Sequence, residues 1–92
     1  MTEAKKKQFT ELKGMHPDCL LLFRYGNFYE SYQEDAENVS RILGITLTRD
    51  KAGDRQTMFP RHALDTYLPK LIRAGHRIVI RDVLQEERRL KR

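Results

Sequence analysis

The block Cys19-Leu20-Leu21-Leu22-Phe23-Arg24-Tyr25, followed by Gly26-Asn27 and then Phe28-Tyr29-Glu30-Ser31-Tyr32, constrains the fold of this chain more than any other feature. A short, mostly apolar run bounded by turn residues has the signature of a buried strand. A second run rich in aromatic residues resumes two positions later. Two such runs joined by Gly-Asn predict a β-hairpin with a tight turn, because glycine supplies the backbone angles that such a turn needs.

The remaining segments read around that hairpin. Thr2 to about Lys13 predicts a helix: Thr2 can cap it, Phe9 and Leu12 share a face, and Gly14 can end it. His16-Pro17 blocks its continuation. From Gln33 the period becomes helical again, with Ala36, Val39, Ile42 and Leu43 on one face and Gly44 at the end. Ile45 to Thr48 alternates and is β-branched, which predicts a strand. Arg49 to Gln56 is polar and reads as a mobile loop. Thr57-Met58-Phe59 is a brief strand stopped by Pro60. Leu64, Tyr67, Leu68, Leu71 and Ile72 form a helical stripe ended by Gly75, with Asp65 as its expected cap and Pro69 in its first turn. Arg77 to Leu84 is the last strand. The expectation is an α/β (α+β) fold, a small mixed sheet flanked by about three helices, with residues 1–85 forming one domain and 86–92 a charged tail.

Composition limits the function classes. With 92 residues there is room for one modest core. Hydrophobic residues at 39% beside charged residues at 34% suit a folded domain and argue against disorder. The longest apolar run is far too short to cross a bilayer, and no apolar segment follows Lys5-Lys6-Lys7, so neither a membrane partner nor a secretory signal is expected. The single Cys19 cannot form a disulfide within the chain or hold zinc alone; a buried, reduced thiol in a cytoplasmic protein is the expectation. The net charge of +5 is compatible with nucleic acid but does not establish it.

The informative site is Phe28-Tyr29-Glu30. On a strand Phe28 and Glu30 point to one face and Tyr29 to the other. Glutamate is rarely buried without a partner, so the face shared by Phe28 and Glu30 is expected to be open to solvent. An exposed ring there can act as a wedge, entering the minor groove between base steps and kinking the duplex, with the carboxylate as a polar reader beside it. The alternative, Phe28 packed under a helix with Glu30 at the rim, stays open on pattern alone.

Arg24-Tyr25-Gly26-Asn27-Phe28-Tyr29-Glu30 resembles the Arg-Met-Gly-Asp-Phe-Tyr-Glu segment of MutS-type DNA mismatch repair proteins. The resemblance continues through Asp35-Ala36, Arg41 to Arg49, His62 to Leu68 and Ala74 to Ile78, so it covers most of the chain in order. It implies a freestanding copy of the N-terminal mismatch-recognition domain of that family. In the family this Phe stacks on a mispaired or unpaired base and this Glu hydrogen-bonds to it, which carries those roles to Phe28 and Glu30. By the same resemblance Tyr25, Gly26 and Asn27 are DNA-binding candidates beside the wedge. Arg49, Lys51, Arg55 and Arg61 are candidate phosphate contacts, although ordinary solvated charge explains each as well. The implied partner is double-stranded DNA, mismatched or bulged, together with other DNA repair proteins.

The sequence also departs from that pattern. Tyr25 replaces Met, Asn27 replaces Asp, Thr57-Met58-Phe59-Pro60-Arg61 stands where Ala-Gly is usual before the proline segment, and Arg81-Asp82-Val83 stands in place of Cys-Glu/Asp-Gln. These changes bear on base readout more than on the fold.

No phosphate-binding Gly-x-x-x-x-Gly-Lys-Ser/Thr loop occurs, so neither ATP hydrolysis nor any cofactor is expected. An enzyme lacks support elsewhere: His16, His62 and His76 do not have metal-ligand spacing, and Ser31 and Ser40 have no base beside them in a known motif. The competing reading is an interaction module, with little DNA binding of its own, that docks onto a DNA repair or DNA-processing partner through Phe28 and Tyr25. A third is a relic fold that no longer binds.

Overall fold

The structure, a computed structural model, describes residues 1–83. Leu84 of the expected last strand, and the charged stretch with Arg88, Arg89, Lys91 and Arg92, lie outside the described residues.

A five-stranded mixed sheet forms the centre, in the order β3-β4-β2-β1-β5. The hairpin is its middle: β1 (Cys19–Tyr25) and β2 (Phe28–Tyr32) pair antiparallel, with Tyr25 opposite Phe28 across Gly26-Asn27. Gly26 takes φ 62°, which a side chain would disfavour, and occupies the first central position of the two-residue turn. Arg24 donates to the Gly26 carbonyl at 2.9 Å and pairs with Asp82 at 2.7 Å, holding the turn from below. β5 (Arg77–Val83) runs parallel to β1, and β4 (Arg55–Pro60) runs antiparallel to β2.

The two faces of the sheet carry separate cores. Leu20, Leu22, Tyr29 and Phe59 face α2 (Gln33–Leu43) and α3 (Leu64–Arg73), which contribute Val39 and Leu71. Leu21, Phe23 and Tyr32 face α1 (Glu3–Met15), which contributes Phe9 and Leu12. Tyr32 stacks among aromatic neighbours there, its ring 5.6 Å from Phe23 and 5.8 Å from Phe9. The helices are therefore split, one on one side and two on the other.

Several boundaries differ from expectation for identifiable reasons. α1 runs past Gly14 to Met15, capped by Thr2 and ended at His16 just before Pro17. The segment Ile45 to Thr48 is mostly not strand. Ile45 packs against the core, the Thr46 carbonyl accepts from the Thr57 hydroxyl at 2.6 Å, and only β3 (Thr48–Arg49) joins the ladder. The expected loop from Arg49 to Gln56 is instead largely a short hairpin, β3 against β4. The Asp50 carboxylate closes its turn by accepting from the backbone of Ala52 and Asp54. β4 accordingly begins at Arg55, earlier than the brief strand expected at Thr57, and it includes Pro60. A single-turn 3-10 helix (Arg61–Ala63) leads into α3, so Asp65 is a first-turn residue and not the cap, and Pro69 lies inside the helix. Asp65 and Pro69 are both exposed, so the Asp65 carbonyl that Pro69 cannot serve is within reach of water. Cys19 is a free thiol, half-buried and not fully enclosed.

Gln33 is the one non-glycine with positive φ (57°) among the described residues. Its side-chain amide bridges Asp54 and Arg55, fixing the sharp passage from β2 into α2.

Candidate nucleic-acid interface

Phe28 starts β2 at the tip of the hairpin and is 43% exposed. Its register partner on β4 is Pro60, and the backbone N–H of the next residue, Arg61, donates to the Asn27 carbonyl at 2.7 Å. The tip is thus tied to the neighbouring strand and presents its ring from a fixed base. Asn27, Phe28, Pro60, Arg61 and His62 line an open cleft of about 440 Å³. Met58 lies on the same sheet face as Phe28, opposite Glu30, and is likewise 43% exposed. Neither side chain belongs to the core cluster under α1.

Glu30 corrects the expectation of an open face. It is only 6% exposed, because the first turn of α1 lies over it. Its Oε1 accepts from the Lys5 ammonium at 2.9 Å and from the Tyr32 hydroxyl at 2.6 Å. The premise that glutamate is seldom buried without partners holds, and here the partners exist. The Lys5 ammonium also lies 4.5 Å from the centroid of the Tyr25 ring, a cation–π contact. Burial pushes the Tyr32 phenol far above its ordinary value, and the adjoining Glu30 carboxylate pushes it further. Burial also raises the Tyr25 phenol, whose hydroxyl has no hydrogen-bond partner among the described residues. Tyr25 is half-buried beneath Lys5 and does not stand out as a surface anchor.

The four candidate cations do not converge. Arg61 is exposed beside Phe28. Lys51 lies at the β3–β4 turn, lining a second cleft with Thr2, Lys5 and Gln56. Arg55 is turned toward α2, where it pairs with Glu37 at 2.7 Å and holds that carboxyl below its usual range. Arg49 donates to the Gly53 carbonyl at 2.8 Å within its own hairpin.

Sequence reasoning missed three residues of this surface. Lys5 entered only as part of the Lys5-Lys6-Lys7 run, yet its spacing from Phe9 and Leu12 places all three on one helical stripe facing the sheet. His62 entered only as a histidine without metal-ligand spacing, and Met58 as part of a brief strand. Their neighbours across the sheet only became visible with the β2–β4 register. Among the described residues no group of His, Cys, Asp and Glu is arranged to hold a metal ion, and no helix is long and apolar enough to cross a membrane.

The sequence of this chain is matched by a family model, MutS domain I, over residues 3–92. The chain belongs to the MutS domain I family. Among curated relatives, the DNA mismatch repair protein MutS of Phocaeicola vulgatus is 54% identical over 90 residues, covering 94% of this chain and 10% of that protein. MutS of Bacteroides thetaiotaomicron is 54% identical over the same shares. MutS of Porphyromonas gingivalis is 53% identical over 89 residues, 92% of this chain and 10% of its own. The chain therefore spans about a tenth of the length of the curated relatives it matches.

Proposed function

We propose that this MutS domain I binds double-stranded DNA as a recognition module, with Phe28 entering at mispaired or unpaired steps. The observation that carries this reading is the exposed Phe28 ring on a hairpin tip pinned to β4. A rigid base matters because a wedge must unstack two base pairs without being pushed back into its own protein. A mispaired or bulged step is cheaper to unstack and bend than a paired one, so preference follows from deformability even before any base is read. Arg61, exposed at the rim of the same cleft, would be a phosphate contact, and Glu30, two residues along the strand on the same face, the base acceptor. The domain acts without hydrolysing ATP itself, in the cytoplasm, and supplies recognition to other repair proteins.

The test is titration of a fluorescent duplex, fully paired or carrying a G·T mismatch or one-base bulge, with wild type and Phe28→Ala. Stacking of one base on an aromatic ring contributes about 1–3 kcal/mol, so the substitution should weaken binding to the defect roughly ten- to a hundredfold while barely changing binding to paired DNA. Equal affinity for both duplexes, unchanged by Phe28→Ala, would sink the wedge. The adjacent exposure of Met58 and Phe28 favours one second reading, a protein contact. Absence of DNA binding at every salt concentration would select it.

A further inference from the structure

We infer that Lys5 is the resident counter-ion of Glu30 and not a phosphate contact, so that the carboxylate beside the wedge meets DNA as part of a neutral pair. The inference rests on the DNA reading above and names a positioning residue for the same site.

Three observations carry it. The Lys5 ammonium is held twice, by Glu30 Oε1 at 2.9 Å and by the face of Tyr25 at 4.5 Å. Lys6 and Lys7, next in the chain, are exposed, whereas Lys5 is partly buried on the sheet-facing stripe of α1. The Glu30 side chain is 8% exposed, against 29% for Lys5. If Lys5 swung out to a phosphate, that nearly enclosed carboxylate would be left with the Tyr32 hydroxyl alone. Stranding a buried charge is more costly than one surface phosphate contact is favourable. Lys5 therefore stays on Glu30 when DNA arrives.

Two consequences follow. A carboxylate at a DNA surface repels the backbone, and the Lys5 ammonium removes that penalty without removing the acceptor. The two bonds from Lys5 and Tyr32 both fall on Oε1, which leaves Oε2 as the oxygen available to a base donor. Lys5 thus fixes which oxygen of Glu30 faces a ligand, and it drops out of the set of cations that compete with salt.

The salt dependence of binding distinguishes this arrangement from an ordinary basic patch. Each phosphate neutralised by a protein cation contributes about −0.9 to the slope of log affinity against log salt. Glu30→Gln should release Lys5 to the backbone and steepen that slope by about one contact. Between about 50 and 200 mM salt it would then lose roughly three- to fourfold more affinity than wild type. Lys5→Met/Glu30→Gln should return to the wild-type slope, since one neutral pair replaces another. Lys5→Met alone should weaken binding, and adding Glu30→Gln should rescue it. A double variant whose slope is shallower than wild type by one contact, with Glu30→Gln unchanged, would overturn the assignment by showing Lys5 already on a phosphate.

NMR of the lysine ammonium groups in the wild-type chain gives a second measurement that does not depend on the variants folding. Lys5 should show a slowly exchanging ammonium signal, distinct from Lys6 and Lys7 and retained when duplex is added. A Lys5 signal exchanging like its neighbours, or moving with them on DNA addition, would refute the pairing. If no protein binds either duplex, the DNA reading falls, and the charge-silencing role with it, while the ammonium signal still decides whether the pair exists.

Discussion

Removing a single buried hydroxyl, by Tyr32→Phe, should destabilise the domain at neutral pH and stop doing so in alkali. Tyr32 is fully buried, and its ring contacts with Phe9 and Phe23 survive the change. What is lost is the hydroxyl donated to Glu30 Oε1 at 2.6 Å. A hydrogen bond to a charged group contributes about 1.5–3 kcal/mol, and because Lys5 still serves that oxygen the expected loss is near 2 kcal/mol. For a domain of this size that is a fall in Tm of about 8–16 °C. The pH dependence gives a sharper signature. Burial first, and the Glu30 carboxylate second, raise the folded phenol above its ordinary 10.0. The stability from keeping it neutral is fully present below that value. As pH rises further, the unfolded phenol ionises while the folded one does not, so that stability drains away. Wild type should lose about 1.4 kcal/mol per pH unit above about pH 10 from this group alone, and Tyr32→Phe should not. The difference between the two proteins, measured by urea unfolding with circular dichroism, should shrink from about 2 kcal/mol at neutral pH to about 0.6 at about pH 11. A difference that stays constant to that pH, or that is below about 0.5 kcal/mol at neutral pH, would refute the buried hydroxyl–carboxylate bond.

Two further outcomes test the frame that carries the site. Lys13→Met removes the ammonium that bonds both oxygens of buried Asp35 at 3.0 Å and the Cys19 carbonyl at 2.6 Å, and should cost about 2–3 kcal/mol in chemical denaturation. Adding Asp35→Asn should recover part of that loss, and a double variant less stable than Lys13→Met would contradict the pairing. Phe59→Ala, in the core between Tyr29 and Tyr67, should cost about 3–5 kcal/mol, whereas Phe28→Ala at the exposed tip should cost less than half as much. Equal costs in thermal melts would mean that Phe28 belongs to the core.

The hairpin was legible because a continuous apolar run, a Gly-Asn turn and an aromatic run are all local signals, and the observed β1–β2 register joins Tyr25 to Phe28 across that turn. The aliphatic stripes of α2 and α3 were legible for the same reason. What failed was non-local. Ile45-Thr46-Leu47 alternates like a strand, but whether it pairs depends on β4, and the ladder forms only from Thr48 onward. Pro69 was expected at a helix start, yet the stripe from Leu64 begins α3 earlier and the exposed position of Asp65 tolerates the lost bond. At the site, the pattern left open whether Phe28 stands exposed or packs under a helix, and it is exposed. Glu30 was assigned the same exposure from its position on the strand, but two residues of spacing moves it from beyond the end of α1 to beneath it. Alternation along a strand tells which face a residue takes; it does not tell where the covering helix stops.

That covering helix also explains why one strand face can hold both an exposed ring and a buried acid. On α1 the positions Lys5, Phe9, Leu12 and Lys13 follow the spacing of a single helical stripe, apolar in its middle and cationic at both ends. Each end meets a buried carboxylate: Lys5 on Glu30 of β2, and Lys13 on Asp35 of α2. The apolar middle packs on Phe23 and Tyr32 and sets the distance of the helix from the sheet, while the two ion pairs set how far it lies along the strands. A helix shifted along the strands would break both pairs and strand Glu30 and Asp35. The same two pairs that tolerate acids in the interior thus fix α1 over Glu30 and Asp35, while Phe28, two residues before Glu30 on the same strand face, stays exposed at the hairpin tip.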